Sequence, residues 1–365
     1  MELKTFREFS AGLKKSWLRR KAGERDSLLD CSKGIAIILV VIGHTIQGQS
    51  KNFDDAYGFR FIYSFHMPLF ALLAGASAVF WIKKYNVAES IKDLIASSFI
   101  RIKKSAGYLL VPFFFWTLFG YWFSSNPEPI KYYLWKVFNY PDYSLWFLPC
   151  IFWCTVYATI FMLAISTAKI KLKAAHFERI SHHLQSPIVQ ALLMFVAWRL
   201  ALPRLPAWGG LAFANYFHDG LFAFFLIGLA CFNQFANTKT VWVRFVFYII
   251  FFSLVSFWHR TMPHNIIAHA PVILSETWFG KYYAPIVAIA GSFVFIDMVR
   301  ILSSLKFDAI NISLAYVGRA SLGIYAVHFY FLGYFPSVIA PIVISLLVWQ
   351  VLSITPVVGK LLFGK

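Results

Sequence analysis

Residues 30–48 read DCSKGIAIILVVIGHTIQG, an apolar run that carries Lys33 near its start and His44 near its far end. The two are eleven residues apart. At about 100° per residue, eleven steps return to within roughly 20° of the same helix face, with about 16 Å of rise between the side chains. Ile37, Val40 and Val41 lie between them on that face. One helix therefore offers a cation at one membrane edge and an imidazole well inside. A polar side chain at such depth is costly and faces a protein interior or a wet cavity. Two readings fit: a buried histidine that only joins helices, and a functional imidazole.

The rest of the composition agrees with a membrane setting. The chain has 365 residues, 59% hydrophobic, 19% aromatic and 14% charged. Soluble domains carry about 25% charge. Repeated apolar runs near twenty residues point to an all-α, polytopic helical bundle. The expected spans are ten: 28–48, 59–81, 107–123 with Pro112 as a kink, 145–165, 188–202, 216–235, 241–258, 282–302, 320–334 and 336–354. Asp297 and Arg300 form an i,i+3 pair near the end of the eighth. Residues 1–27 are basic, with Leu3, Phe6, Phe9, Leu13 and Trp17 at helical spacing. They read as an amphipathic helix on an anionic membrane surface, so lipids are expected partners. The domain reading is this segment, a transmembrane domain at 28–355 and a short cytoplasmic tail at 356–365. No cleavable leader is expected, the first apolar run reading as a retained span.

Net charge is +18. The basic residues sit in blocks beside apolar spans, which argues for the positive-inside rule rather than a nucleic-acid partner. Of 34 Lys and Arg, only Lys51, Arg60, Lys131, Lys136, Arg199, Arg204, Arg260 and Lys281 fall on the side opposite the termini. Both termini are therefore expected in the cytoplasm. Cys31, Cys150, Cys154 and Cys231 show no paired spacing and read as packing residues. His259, His264 and His269, spaced by five, do not make a zinc pattern, and no metal is expected.

Three constellations carry possible chemistry. Lys33, Arg101 and Lys104 gather at the cytoplasmic face, suited to a phosphorylated ligand or, more plainly, to topology and lipid headgroups. His44 and His66 are expected at one depth, as candidates for base or nucleophile, because an imidazole changes charge near neutral pH. The outer connections are rich in Trp, Tyr, Asn and Asp, including Tyr143 and Trp208. They suit a sugar, whose ring has apolar faces and hydroxyl edges, or an interfacial aromatic belt.

These stretches resemble the acyltransferase-3 family of membrane-bound O-acyltransferases. LDCSKGIAIILVVIGH resembles its first-span motif, a basic residue, ten others and a histidine; Lys33 stands where many members have arginine. FHMPLFALLAG, with His66, resembles the second-span motif, with Ala74-Gly75 where Ser-Gly is usual. Arg101 and Lys104 fall where members show Arg-x-x-Arg. SLWFLP, with Trp146, and SLGIYAVH, with His328, are similar to later landmarks. The resemblance implies transfer of an acyl group, usually acetyl, from cytoplasmic acetyl-CoA to a hydroxyl of a surface glycan or a lipid-linked oligosaccharide precursor, at the bacterial cytoplasmic (inner) membrane. Its style is that of exopolysaccharide O-acetyltransferases, such as those acting on xanthan, and of fucose acetylases. It implies His44 as the catalytic histidine with His66 beside it, and Lys33, Arg101 and Lys104 as the CoA-binding cations. Trp146, Tyr143, Trp208 and His328 are the expected acceptor-side residues. The chain stops soon after the tenth span, which reads as a stand-alone member. A polysaccharide or lipid-linked sugar transporter is the competing expectation; the broken-helix repeats common in transporters are not evident in the sequence.

Overall fold

The computed structural model describes residues 26–49, 51–124, 128–139, 145–201, 220–260, 278–305, 308–332 and 338–364. Among them there is no strand, and the elements they form are all helices. Tyr143 and Trp208 lie outside the described residues, as do His264, His269 and nearly all of the basic N-terminal segment.

Helix α1, Ser27–Gln49, is the long apolar run. Asp26 starts it: its Oδ1 accepts from the backbone N–H of Leu28 at 2.9 Å and of Leu29 at 3.3 Å, filling donors that the first turn leaves open. The second expected span is interrupted. Helix α2, Tyr57–Tyr63, ends at Ser64 and Phe65, and α3, His66–Val87, begins afresh. Pro68 lies in the first turn of α3, where its missing N–H costs no helical bond.

Next comes α4, Ile91–Trp122, one 32-residue helix that joins the basic amphipathic stretch to the third apolar run and continues through Pro112. Helices α5 (Ile130–Asn139), α6 (Phe147–Ala174), α7 (Glu178–His183) and α8 (Pro187–Ala201) follow. Then come α9 (Leu221–Asn237), α10 (Val241–Leu254) and α11 (Trp278–Ser304). The C-terminal part is α12 (Asp308–Arg319), α13 (Ser321–Val327), α14 (Ile339–Leu352) and α15 (Pro356–Phe363).

Among the described residues four helical stretches are long and apolar enough to cross a membrane: Ser27–Gln49, Tyr57–Val87, Phe147–Ala174 and Tyr282–Ser304. They coincide with expected spans one, two, four and eight. Shorter apolar helices, Pro187–Leu200, Leu221–Asn237, Val241–Phe257 and Ile339–Leu352, occupy the places of spans five, six, seven and ten. The ninth differs from expectation. Its helix starts at Asp308, twelve residues early, and bends by 60° between Arg319 and Ser321, so the expected starting point, Ala320, is the break itself. Many large apolar side chains face outward, among them Phe115, Leu192, Phe245, Ile249, Phe252 and Leu347. Such a surface is unfavourable in water and suits lipid. The protein is a helical membrane protein.

Helix α1 packs at the junction of two of the three apolar clusters. Its Leu29 and Ala36 join Leu69 of α3, Phe251 of α10 and Val294 of α11. Its Ile37, Val40 and Val41 join Phe113 and Trp116 of α4, Ile324 of α13 and Trp349 of α14. The third cluster centres on α6 and α9, with Cys154, Met162, Phe222 and Phe225. The four cysteines are free, and three are buried. Residues of the expected tail form α15, whose Leu362 and Phe363 are buried against α4 and whose Leu362 carbonyl accepts from Trp116 Nε1 at 2.8 Å.

Two glycines bring α1 and α12 into backbone contact. A Cβ on Gly34 would lie 2.0 Å from the Leu314 carbonyl oxygen, and one on Gly318 would lie 1.9 Å from that of Asp30. Only glycine permits this approach. On α11, Asp297 is wholly buried and pairs with Arg300 at 2.6 Å, as the i,i+3 spacing indicates, and also with Arg244 of α10 at 2.9 Å. Tyr248 donates to the same carboxylate at 3.3 Å.

Candidate active site

The site has a cationic half and an imidazole half, set along α1. The cationic half is a cavity of about 330 Å³. Lys33, Ile37 and Val40 line it from α1, Met67, Phe70, Ser77 and Trp81 from α3, and Arg101, Ser105 and Tyr108 from α4. Asp30 is its acid, and Arg319 and Tyr325 come from the bent α12–α13 pair. Lys33 Nζ donates to Ser77 Oγ at 2.8 Å, and Ser77 in turn donates to the Leu73 carbonyl at 2.9 Å. That chain fixes the lysine head near the α3 backbone. The Arg101 guanidinium lies over the Trp81 ring, 4.9 Å from its centroid, an arrangement that arginine's flat cation favours. Lys104 is exposed and is not among the lining residues.

The imidazole half begins where the cavity ends. Each of its three histidines lies close in sequence to a lining residue of its own segment: His44 one turn after Val40, His66 immediately before Met67 at the start of α3, and His328 three residues after Tyr325. The ring centroids of His44 and His328 are 5.3 Å apart, and Phe329 packs on His44 at 4.5 Å. Tyr63 stands between His44 and His66, with its ring 6.1 Å from the first and 4.4 Å from the second.

Hydrogen bonds set the ring nitrogens. His44 Nδ1 lies 3.2 Å from Gln47 Oε1, which also accepts from Tyr63 Oη at 3.1 Å. His66 Nδ1 donates to the Ile62 carbonyl at 3.0 Å. His328 Nδ1 donates to the carbonyls of Ile324 and Tyr325 at 2.9 and 3.0 Å. Backbone carbonyl oxygens only accept, so His66 and His328 carry their proton on Nδ1 and hold a lone pair on Nε2. His44 Nδ1 has two partners, Gln47 Oε1 and, also at 3.2 Å, the Tyr63 hydroxyl; a proton on Nδ1 faces the first, a lone pair there faces the second. His328 is fully buried, and its Nε2 has no hydrogen-bond partner among the described residues. Among the described residues no group of three His, Cys, Asp or Glu side chains is placed to hold a metal.

Trp146 is half-buried just before α6 and packs edge-on against Phe147, itself a lining residue. The sequence reading missed four groups. Gln47, three residues after His44, was visible as a polar group on the same face. Tyr63 preceded His66 by three. Ser77 and Arg319 had no local signal, because what makes them part of the site is the crossing of α1 with α3 and α12.

Comparison with known proteins bears on the family. The profile of the acyltransferase domain of the acyltransferase-3 family matches residues 26–363. Nodulation protein NolL of Sinorhizobium fredii is 36% identical over 99 residues, covering 26% of this chain and 24% of that protein. Nodulation protein NolL of Mesorhizobium japonicum is 33% identical over 96 residues, covering 25% and 23%. The match thus spans about a quarter of the length of either relative. No solved structure gives a significant match. With its profile match running from the start of α1 to the end of α15, the chain belongs to the acyltransferase-3 family of acyltransferases.

Proposed function

We propose that this protein moves an acetyl group from cytoplasmic acetyl-CoA to a hydroxyl of a surface polysaccharide, or of its lipid-linked precursor, in a bacterial inner membrane. One observation carries the reading: the cation-lined cavity follows the same face of α1 that presents His44 one turn beyond it. CoA phosphates would sit against Lys33 and Arg101, with Lys104 attracting them from the exposed surface. The pantetheine arm, long and thin, would follow Ile37 and Val40 and bring the thioester to the histidines.

Chemistry at that point uses the lone pair that His44 holds on Nε2 when its Nδ1–H faces Gln47 Oε1. The acceptor oxygen attacks the thioester carbonyl as Nε2 takes its proton. The carbon–sulfur bond then breaks, the ester is left on the glycan, and the imidazolium returns the proton to the departing thiolate. Gln47 Oε1, at 3.2 Å from Nδ1, holds the ring and supports its transient positive charge. General-base assistance of this kind contributes about 10²–10⁴-fold. His328 Nε2, buried and unsatisfied, offers a second acceptor for a neighbouring hydroxyl of the sugar. His66 stands behind Tyr63, its ring 4.4 Å from that of the tyrosine. The aromatic outer residues Tyr143, Trp146 and Trp208 would stack on the sugar ring.

The test is mass spectrometry of surface glycan from a strain lacking the protein. The glycan should lose one acetyl group per modified residue, regained with the wild-type gene and not with His44→Ala. Glycan that is normally acetylated but missing from the surface would favour the transporter reading instead.

A further inference from the structure

Three helices far apart in sequence deliver cations to one cavity: Lys33 from α1, Arg101 from α4 and Arg319 from the end of α12. Topology alone asks only that basic residues lie on the cytoplasmic side; it does not ask that they converge. Among the described residues Asp30 is the one carboxylate that lines the cavity, against Lys33, Arg101 and Arg319. Arg319 is exposed, and no carboxylate lies within 4.0 Å of it among the described residues. Its contact is the Tyr316 ring, 5.9 Å away. Two further donors around the cavity, Arg101 Nε and Trp81 Nε1, have no acceptor among the described residues. A pocket that offers cations and unsatisfied donors fits a ligand rich in anionic acceptors.

Arg319 is also held in place. It follows Gly318, whose backbone touches the Asp30 carbonyl, and it precedes the 60° bend into α13. Its Cα is therefore fixed relative to Lys33 by main-chain contact, while its side chain stays free to reach a ligand. We propose that Arg319 is a phosphate-binding residue of the acyl-donor site, completing with Lys33 and Arg101 a three-sided clamp on the phosphates of CoA. The assignment rests on the donor reading above. It makes the bent α12–α13 pair, which also carries His328, part of the donor site as well as of the imidazole cluster.

Full-length protein in lipid nanodiscs would be titrated with CoA, comparing wild type, Arg319→Ala and Arg319→Lys. Loss of one charge-assisted hydrogen bond predicts a Kd raised roughly ten- to hundredfold in Arg319→Ala, with Arg319→Lys between the two. The wild-type affinity should fall with added salt, and less steeply in Arg319→Ala. Arg319→Gln, which keeps the aliphatic stem, replaces the alanine variant if that fails to fold. Unchanged CoA affinity in the neutral variant, or lysine no better than alanine, would overturn the assignment. Absence of CoA binding by wild type would instead remove the donor reading itself.

Discussion

His44→Ala is the substitution that separates chemistry from binding. Acetyl transfer measured on purified protein should fall by at least about 10²-fold while CoA affinity and melting temperature stay near wild type. Full activity in folded His44→Ala protein would leave the family assignment without this active site. His66→Ala should impair transfer less completely, since its ring reaches His44 through Tyr63. A second residue matters for stability alone. Asp297 is buried between two arginines, and removing its carboxylate leaves both guanidiniums uncompensated. Asp297→Ala should lower stability by about 3 kcal/mol, read as a drop in melting temperature in detergent. At this scale Lys33 and His44 were legible because a single helix relates them by periodicity. Arg319 was not: it reaches the site from a helix that begins some 270 residues later, and the sequence marks it only as another cytoplasmic cation.

Helix α12 is the element that most changes the expected picture. Its sequence, DAINISLAYVGR, is too polar to read as a span, and its burial comes from one narrow face, Ala315 and Gly318, laid on α1. Long apolar helices such as α6 and α11 were visible because hydropathy is a local property. The contact that holds α12 is made by the absence of side chains at Gly34 and Gly318, which hydropathy does not register. Gly318→Ala should therefore push α1 and α12 apart, lower the melting temperature and weaken CoA binding together. Gly107→Ala in α4, where nothing lies within 4 Å of a new Cβ, is the control. It should be neutral or stabilising by roughly 0.5–1 kcal/mol, because alanine is the better helix former. Equal damage from both substitutions would show that glycine content, not the crossing, is what the fold needs.

For the whole molecule, we propose from the ten apolar runs and the charge asymmetry together that both termini lie in the cytoplasm. Reporter fusions after Asp54, Ser125, Pro206 and Thr277 should then read outside, and fusions after Lys84 and Lys171 inside; a reversed pattern would put the acyl donor on the wrong face. Membrane class and helical architecture were legible from composition, whereas the meeting of α1 with α12 and α13 was not, because it joins the two ends of the chain. That meeting has a consequence for biogenesis. Gly34 leaves the ribosome about 280 residues before Gly318, an interval of roughly 15–60 s at ordinary synthesis rates. During that time α3 can already meet Lys33 through Ser77, and Tyr63 can meet His44, but the bare glycine seam of α1 still waits for α12. Helix α1 is finished only when α12 arrives, so a chain cut short before residue 308 should be handed to membrane proteolysis rather than accumulate as an inactive bundle.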